Sequence, residues 1–117
     1  MALSEKQVLE KFAPRGTVFG QELYLPQQVA AEFVSICDEN DLAIIGIEAF
    51  EKTGDQITPI MDYIADYSRT PAKSWQQFRR ACNSAAEEFV MQPRPTDGLR
   101  FNFVTTTTQG WETRLKG

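Results

Sequence analysis

A chain of 117 residues is long enough for one hydrophobic core and too short for two. With 42% apolar and 24% charged residues it has an ordinary globular composition, so it needs neither a metal nor a disulfide to fold. A net charge of −4 argues against nucleic-acid binding by counterion release, which needs a basic face, and favours a basic protein as partner.

No stretch approaches the roughly 18 consecutive apolar residues of a membrane span. The opening residues, Met1 to Gln7, carry no basic patch followed by an apolar run, so no secretory signal is expected and the expected location is cytoplasmic. Cys37 and Cys82 lie 45 residues apart, match no zinc or redox spacing, and are expected to stay reduced.

In chain order, Ser4-Glu5-Lys6-Gln7 has the form of a capping box, and Val8, Leu9 and Phe12 follow at helical spacing, which predicts a short helix over 4–12. Pro14-Arg15-Gly16 ends it. Residues 17–25 alternate loosely around Gly20 and are expected to form an extended segment or a short edge strand. Pro26 suits the first turn of a helix, and Val29, Phe33, Ile36 and Cys37 fall on one stripe, predicting a helix over 26–39. It ends in Asp38, Glu39 and Asp41, carboxylates that oppose the helix dipole and serve either a solvated loop or a partner.

The run Leu42–Ile47 is apolar and rich in β-branched residues, as a central strand covered on both faces would be; Gly46 within it is expected to let a neighbour come close. Alternation then sets in at Glu48-Ala49-Phe50-Glu51, and Lys52-Thr53-Gly54-Asp55 signals a turn. Residues 57–67 fit a helical stripe and a strand face almost equally; the short turn, Pro59 and the tyrosines favour a strand returning antiparallel to 42–51. Ser74-Trp75-Gln76-Gln77 opens the clearest helix, 74–91, with Trp75, Phe78, Cys82, Ala85/Ala86 and Phe89 on one stripe. A rigid loop over 93–98 leads to an alternating strand, 99–105, that Thr105–Thr108 could extend before Gly110 breaks it; the charged tail from Trp111 onward is expected to be partly ordered through Trp111. The whole is a single α+β domain, a two-layer sandwich of a small mixed or antiparallel sheet with two main helices on one face.

The chain has no histidine, which removes the commonest general base, metal ligand and triad member. Both cysteines sit on apolar helix stripes, where they serve as core residues rather than nucleophiles. Glycine-rich phosphate loops are missing, and an EF-hand starting at Asp38 would need Glu where Ala49 stands. Charge is the distinctive feature. Residues 38–66 hold eight carboxylates against Lys52, a net −7, while the whole chain is −4.

Within that segment Phe50, Tyr63 and Tyr67 are interleaved with Glu48, Glu51, Asp55, Asp62 and Asp66, the composition of a partner-binding patch in which carboxylates steer a cationic protein and aromatics supply contact area. Two alternatives use the same acids: a small metabolite-binding or enzymatic domain, which requires an enclosed pocket holding at least two of them, and a merely solvated face. No cofactor, metal site or membrane contact is expected, and the free protein would be a monomer or a dimer.

The helix–strand unit running from Ala30 through Leu42-Ala43-Ile44-Ile45-Gly46-Ile47-Glu48 resembles bacterial toxin-immunity proteins, most of all those that neutralise tRNA-cleaving colicins, in which a helix leads into a strand of the type apolar-apolar-Gly-Ile-acidic. The downstream order of extended segment, long helix and last strand is also similar. The extra N-terminal helix, the longer tail and Ala49-Phe50 in place of a second glycine depart from the pattern. The resemblance implies an immunity or antitoxin-like inhibitor, not an enzyme, that binds a basic toxin nuclease domain one-to-one and blocks its active site. Glu48 is the one position that carries over by motif.

Overall fold

A computed structural model describes residues 2–92 and 98–116. Five antiparallel strands form one sheet, with helices packed on it. In chain order the elements are α1 (Glu5–Phe12), a 3-10 turn (Ala13–Arg15), β1 (Thr17–Phe19), β2 (Glu22–Pro26), α2 (Gln27–Glu39), β3 (Ala43–Thr53), β4 (Gln56–Asp66), α3 (Trp75–Met91), β5 (Leu99–Thr106) and α4 (Thr108–Lys116). The strand order is β1-β2-β5-β3-β4. The α+β class and the antiparallel form of the sheet agree with the sequence.

Local chemistry fixes most boundaries. At α1 the capping box is complete: Ser4 Oγ accepts from the Gln7 N–H and Gln7 Oε1 accepts from the Ser4 N–H. At α3 the Ser74 hydroxyl caps Gln77 N–H, while the Gln77 side chain reaches one residue further back, to Lys73 N–H. Pro26 stands at the N-cap of α2, where it also ends β2. Two tight turns have glycine at positive φ in their first position, Gly20 at +64° and Gly54 at +60°, which suits a two-residue hairpin loop. The first of these corrects the reading of 17–25 as one segment: Gly20-Gln21 folds it into the β1–β2 hairpin.

The C-terminus of α2 explains its acids. Leu42 N–H reaches back to Cys37 O and Asp41 N–H to Asp38 O, a Schellman closure with Asp41 (φ +62°) in the left-handed place usually taken by glycine. The Asp41 carboxylate is held by Arg79 Nη1 at 2.7 Å and by Trp75 Nε1 at 2.8 Å, and Asp38 by Arg79 Nε at 3.1 Å. Arg79 is therefore a clamp between α2 and α3 rather than a plain exterior residue, and Asp38 and Asp41 serve the fold. Because the two carboxylates are about half exposed, Arg79→Met is expected to destabilise by only about 1 kcal/mol, and by less at high salt. Urea denaturation at low and high ionic strength reads both.

One face of the sheet is covered. Phe12, Phe33, Leu25, Ile44, Ile47, Ala49, Tyr63 and Phe101 meet residues of α1, α2 and α3 in the main core. Phe33 packs edge-on to Phe12 and stacks on Phe103. A second cluster joins Ala43, Phe78 and Cys82, with Ile45, Trp75 and Trp111 packed against it. These two clusters account for the unbroken apolar run of β3. A bulge at Ile45 breaks the register with β5, so the strand start is covered by two groups of side chains and not by helices on both faces of the sheet.

Trp111 lies against Phe78 and Trp75, as the expected ordering of the tail through Trp111 requires, and the tail forms the helix α4, which runs through Gly110 rather than breaking there. The predicted loop at 93–98 falls mostly outside the described residues, which resume at Gly98.

Cys37 and Cys82 are buried free thiols. Burial, with Glu5 and Asp38 nearby, pushes Cys37 up to about 12 from its ordinary 9.0, and burial raises Cys82 as well. A raised folded-state pKa means that the stabilisation is whole below pH 9.0 and is lost as pH climbs from there toward about 12. Native protein is expected to resist a thiol reagent at mildly alkaline pH, with both thiols titrating once guanidinium unfolds the chain.

Candidate functional site

The second face of the sheet follows from the alternation of side chains. Leu25, Phe101, Ile47 and Tyr63 point to the helices, so their strand neighbours point the other way. Cross-strand pairs then line up across this face: Gly46 between Val104 and Asp66, Glu48 between Asn102 and Ile64, and Phe50 between Arg100 and Pro59. From the hairpin, Tyr24 and Glu22 join them, with Thr17 and Phe19 opposite. Val104 (53%), Ile64 (49%) and Phe19 (58%) keep about half their surface in solvent.

Two shallow depressions lie on this face. One is lined by Phe19, Tyr24, Phe50, Asp55 and Ile57, with Tyr24 edge-on to Phe50 at 5.0 Å. The other is lined by Gly46, Glu48, Ile64, Asp66, Asn102 and Val104. Gly46 makes the floor of the second. A Cβ there would meet Val104 at 3.6 Å, an ordinary contact, so the glycine leaves a groove open and no neighbour comes unusually close. Gly46→Ala is accordingly expected to leave thermal stability within about 0.5 kcal/mol of the parent, read by denaturant unfolding.

Electrostatics links the two depressions. Asn102 Nδ2 donates to Glu22 Oε2 and to Leu23 O, holding the Glu22 carboxylate over the strand crossing. Burial raises the Tyr24 phenol above its ordinary 10.0, and the negative charges of Glu22 and Glu48 add to that shift, so both carboxylates stand near the ring. At the far end the Asp66 carboxyl is lowered below its ordinary 3.8, first by the Ser68 hydroxyl and N–H that donate to it, then by Arg69 and Arg114.

Of the residues singled out from sequence, Glu48, Phe50 and Asp66 come together on this face, and Asp55 stands beside Phe50 at the hairpin tip. Asp62 is exposed in a stretch of β4 where three extra residues interrupt the register with β3. Glu51 pairs with Thr58 and alternates to the side opposite Phe50.

Tyr63 is a core residue, and Tyr67 is partly buried and packed against the core. Tyr63 is 4% exposed, packs on Phe89, and donates its hydroxyl to Phe89 O; the Tyr67 hydroxyl donates to Ala85 O. They belong to the layer between sheet and α3, and their contact area is already used. Tyr24, Phe19 and Glu22 take their place on the open face. They come from a hairpin 26 to 31 residues away from Phe50, a pairing that no local pattern announces.

The enclosed pocket with two acids that a carboxylate enzyme requires is not formed by these residues: Glu48, Glu51, Asp55, Asp62 and Asp66 are all exposed. Among the described residues no group of three or more His, Cys, Asp or Glu could hold a metal ion, and no helix is long and apolar enough to cross a membrane. A scan against protein-family models and searches of curated proteins and of solved structures find no match to the chain.

Proposed function

We propose that this protein is a binding module that docks a basic protein domain on the open sheet face, and that, as the resemblance of its helix–strand unit implies, the partner is a toxin nuclease whose active site it occludes. The observation that carries the reading is the composition of that face: the Tyr24–Phe50 pair and the apolar ends at Phe19, Ile64 and Val104, with Glu22, Glu48 and Asp66 between and beside them. Aromatic anchors supply buried area at low entropic cost, and carboxylates around them steer a cationic surface and reject an anionic one. Glu48 lies between the two depressions, in reach of a cation presented to either.

The test uses the product of the neighbouring open reading frame as partner, mixed with this protein at low salt. A one-to-one complex that weakens steeply with added salt is expected. Glu48→Arg should weaken it by at least tenfold, on the order of the 1.4 kcal/mol that defines a decade, because it replaces a favourable contact by a like-charge one. Glu87→Arg, an exposed site on α3, should not. Equal losses from both variants, or a complex indifferent to Glu48→Arg, would sink the assignment of this face.

A further inference from the structure

Beyond the Asp66 end of that face, α4 and the β4–α3 connection border a hollow between Ser68–Ala72 and Trp111, Arg114 and Leu115. Its floor is apolar, with Pro71, Ala72 and the indole of Trp111. Arg69 and Arg114 are among its lining residues, both exposed and neither with a carboxylate within ion-pair distance among the described residues.

The Ser68 hydroxyl is committed to Asp66, and the Thr70 hydroxyl to Tyr67 O. The nearest carboxylate, Asp66, already accepts two hydrogen bonds on Oδ1 from Ser68. In the adjoining aromatic cluster Trp75 gives its N–H to Asp41, whereas Trp111 Nε1 has no acceptor among the described residues. An arginine pair beside a half-buried indole is the arrangement that holds an oxyanion by charge-assisted bonds while its planar substituent lies on the ring.

We infer that this hollow is a binding site for a small molecule that joins an oxyanion to a planar apolar group, such as a nucleoside monophosphate or an aromatic carboxylate. The site adjoins the Asp66 end of the proposed partner face, but Tyr24, Phe50, Glu22 and Glu48 take no part in its lining. Arg69 and Arg114 would clamp the oxyanion, and Trp111 with Pro71 would receive the planar part.

The experiment is a titration of the full chain followed by proton–nitrogen NMR at the Trp111 indole and the arginine Nε positions. The probes are adenosine monophosphate, benzoate, inorganic phosphate and uncharged adenosine. Saturable shifts at Trp111 and both arginines with adenosine monophosphate or benzoate are expected, and whichever of the two binds more tightly identifies the source of the oxyanion. Arg69→Gln and Arg114→Gln should each weaken that binding by about tenfold, while the backbone amides of α2 and β5 stay in place.

The inference is overturned if neither compound gives a saturable shift, or if the arginine variants bind unchanged. It is equally overturned if adenosine binds as well as its monophosphate, since charge would then be irrelevant, or if inorganic phosphate alone binds as tightly as either compound, since the apolar floor would then contribute nothing.

Discussion

Asn83→Leu is expected to destabilise the protein by about 3 kcal/mol, although leucine belongs by volume and hydrophobicity on the stripe of α3 that Asn83 shares. The reason is the backbone at the start of β3. Strand β4 ends at Asp66, paired with Gly46, so β3 runs on beyond its neighbour. There the Asn83 amide substitutes for a strand: Oδ1 accepts from Ile44 N–H at 2.8 Å, and Nδ2 donates to Leu42 O at 2.9 Å and to Asp38 at 2.8 Å. Asn83 is 4% exposed and Ile44 fully buried, so removing the amide leaves a backbone donor and a backbone acceptor without water or partner, at about 1–3 kcal/mol each. Asn83→Asp should also be harmful, because a carboxylate keeps the acceptor, loses the donor, and sets a negative charge against Asp38. A shift of the denaturation midpoint at unchanged slope would report the effect, and Ser84→Ala, on the exposed side of the same turn, should do nothing. A leucine variant as stable as the parent would show that the amide is dispensable to β3.

How much of this was legible follows from the range of each interaction. The capped helices α1 and α3 and the helix α2 rest on caps and stripes within a few residues, and the sequence shows them directly, whereas β4 is favoured over a helix only by the turn before it, Pro59 and the tyrosines. Asn83, by contrast, is one polar residue beside an apolar stripe. Its meaning depends on β4 stopping short beside Ile44, 39 residues before Asn83 in the chain, which only the assembled sheet reveals. The acids of Asp38 and Asp41 look surplus because their cation, Arg79, is distant in sequence and arrives with α3. Trp111 stacking on Phe78 turns a polar tail into α4 through a contact across more than thirty residues. The candidate face was half legible for the same reason. Glu48 and Phe50 lie on one strand and declare their side by alternation, but Tyr24 and Glu22 join them only through β5, to which β2 and β3 both pair.

Tyr63 separates the fold from the proposed site most sharply. In β4 the acids and the tyrosines interleave, which reads as one mixed patch until the period of two is applied: Ile64 and Asp66 alternate to the open face, while Tyr63 and Ala65 turn to the helices. Tyr63→Ala is therefore expected to destabilise by about 3–5 kcal/mol, as truncation of a buried aromatic does, because the ring fills the space between Phe89 and Phe101. Tyr63→Phe keeps the ring and gives up the hydroxyl bond to Phe89 O, so about 1 kcal/mol is expected. Phe50→Ala should behave in the opposite way. Its ring is partly exposed and rests on Tyr24 alone among the described aromatics, so stability should fall by about 1 kcal/mol while affinity for the basic partner should fall by a hundredfold, on the order of a 2–3 kcal/mol anchor. Unfolding and binding measured on the same three variants decide the matter: if Tyr63→Ala leaves the midpoint in place and abolishes binding, the tyrosine side of β4 is the interface and the open face is not.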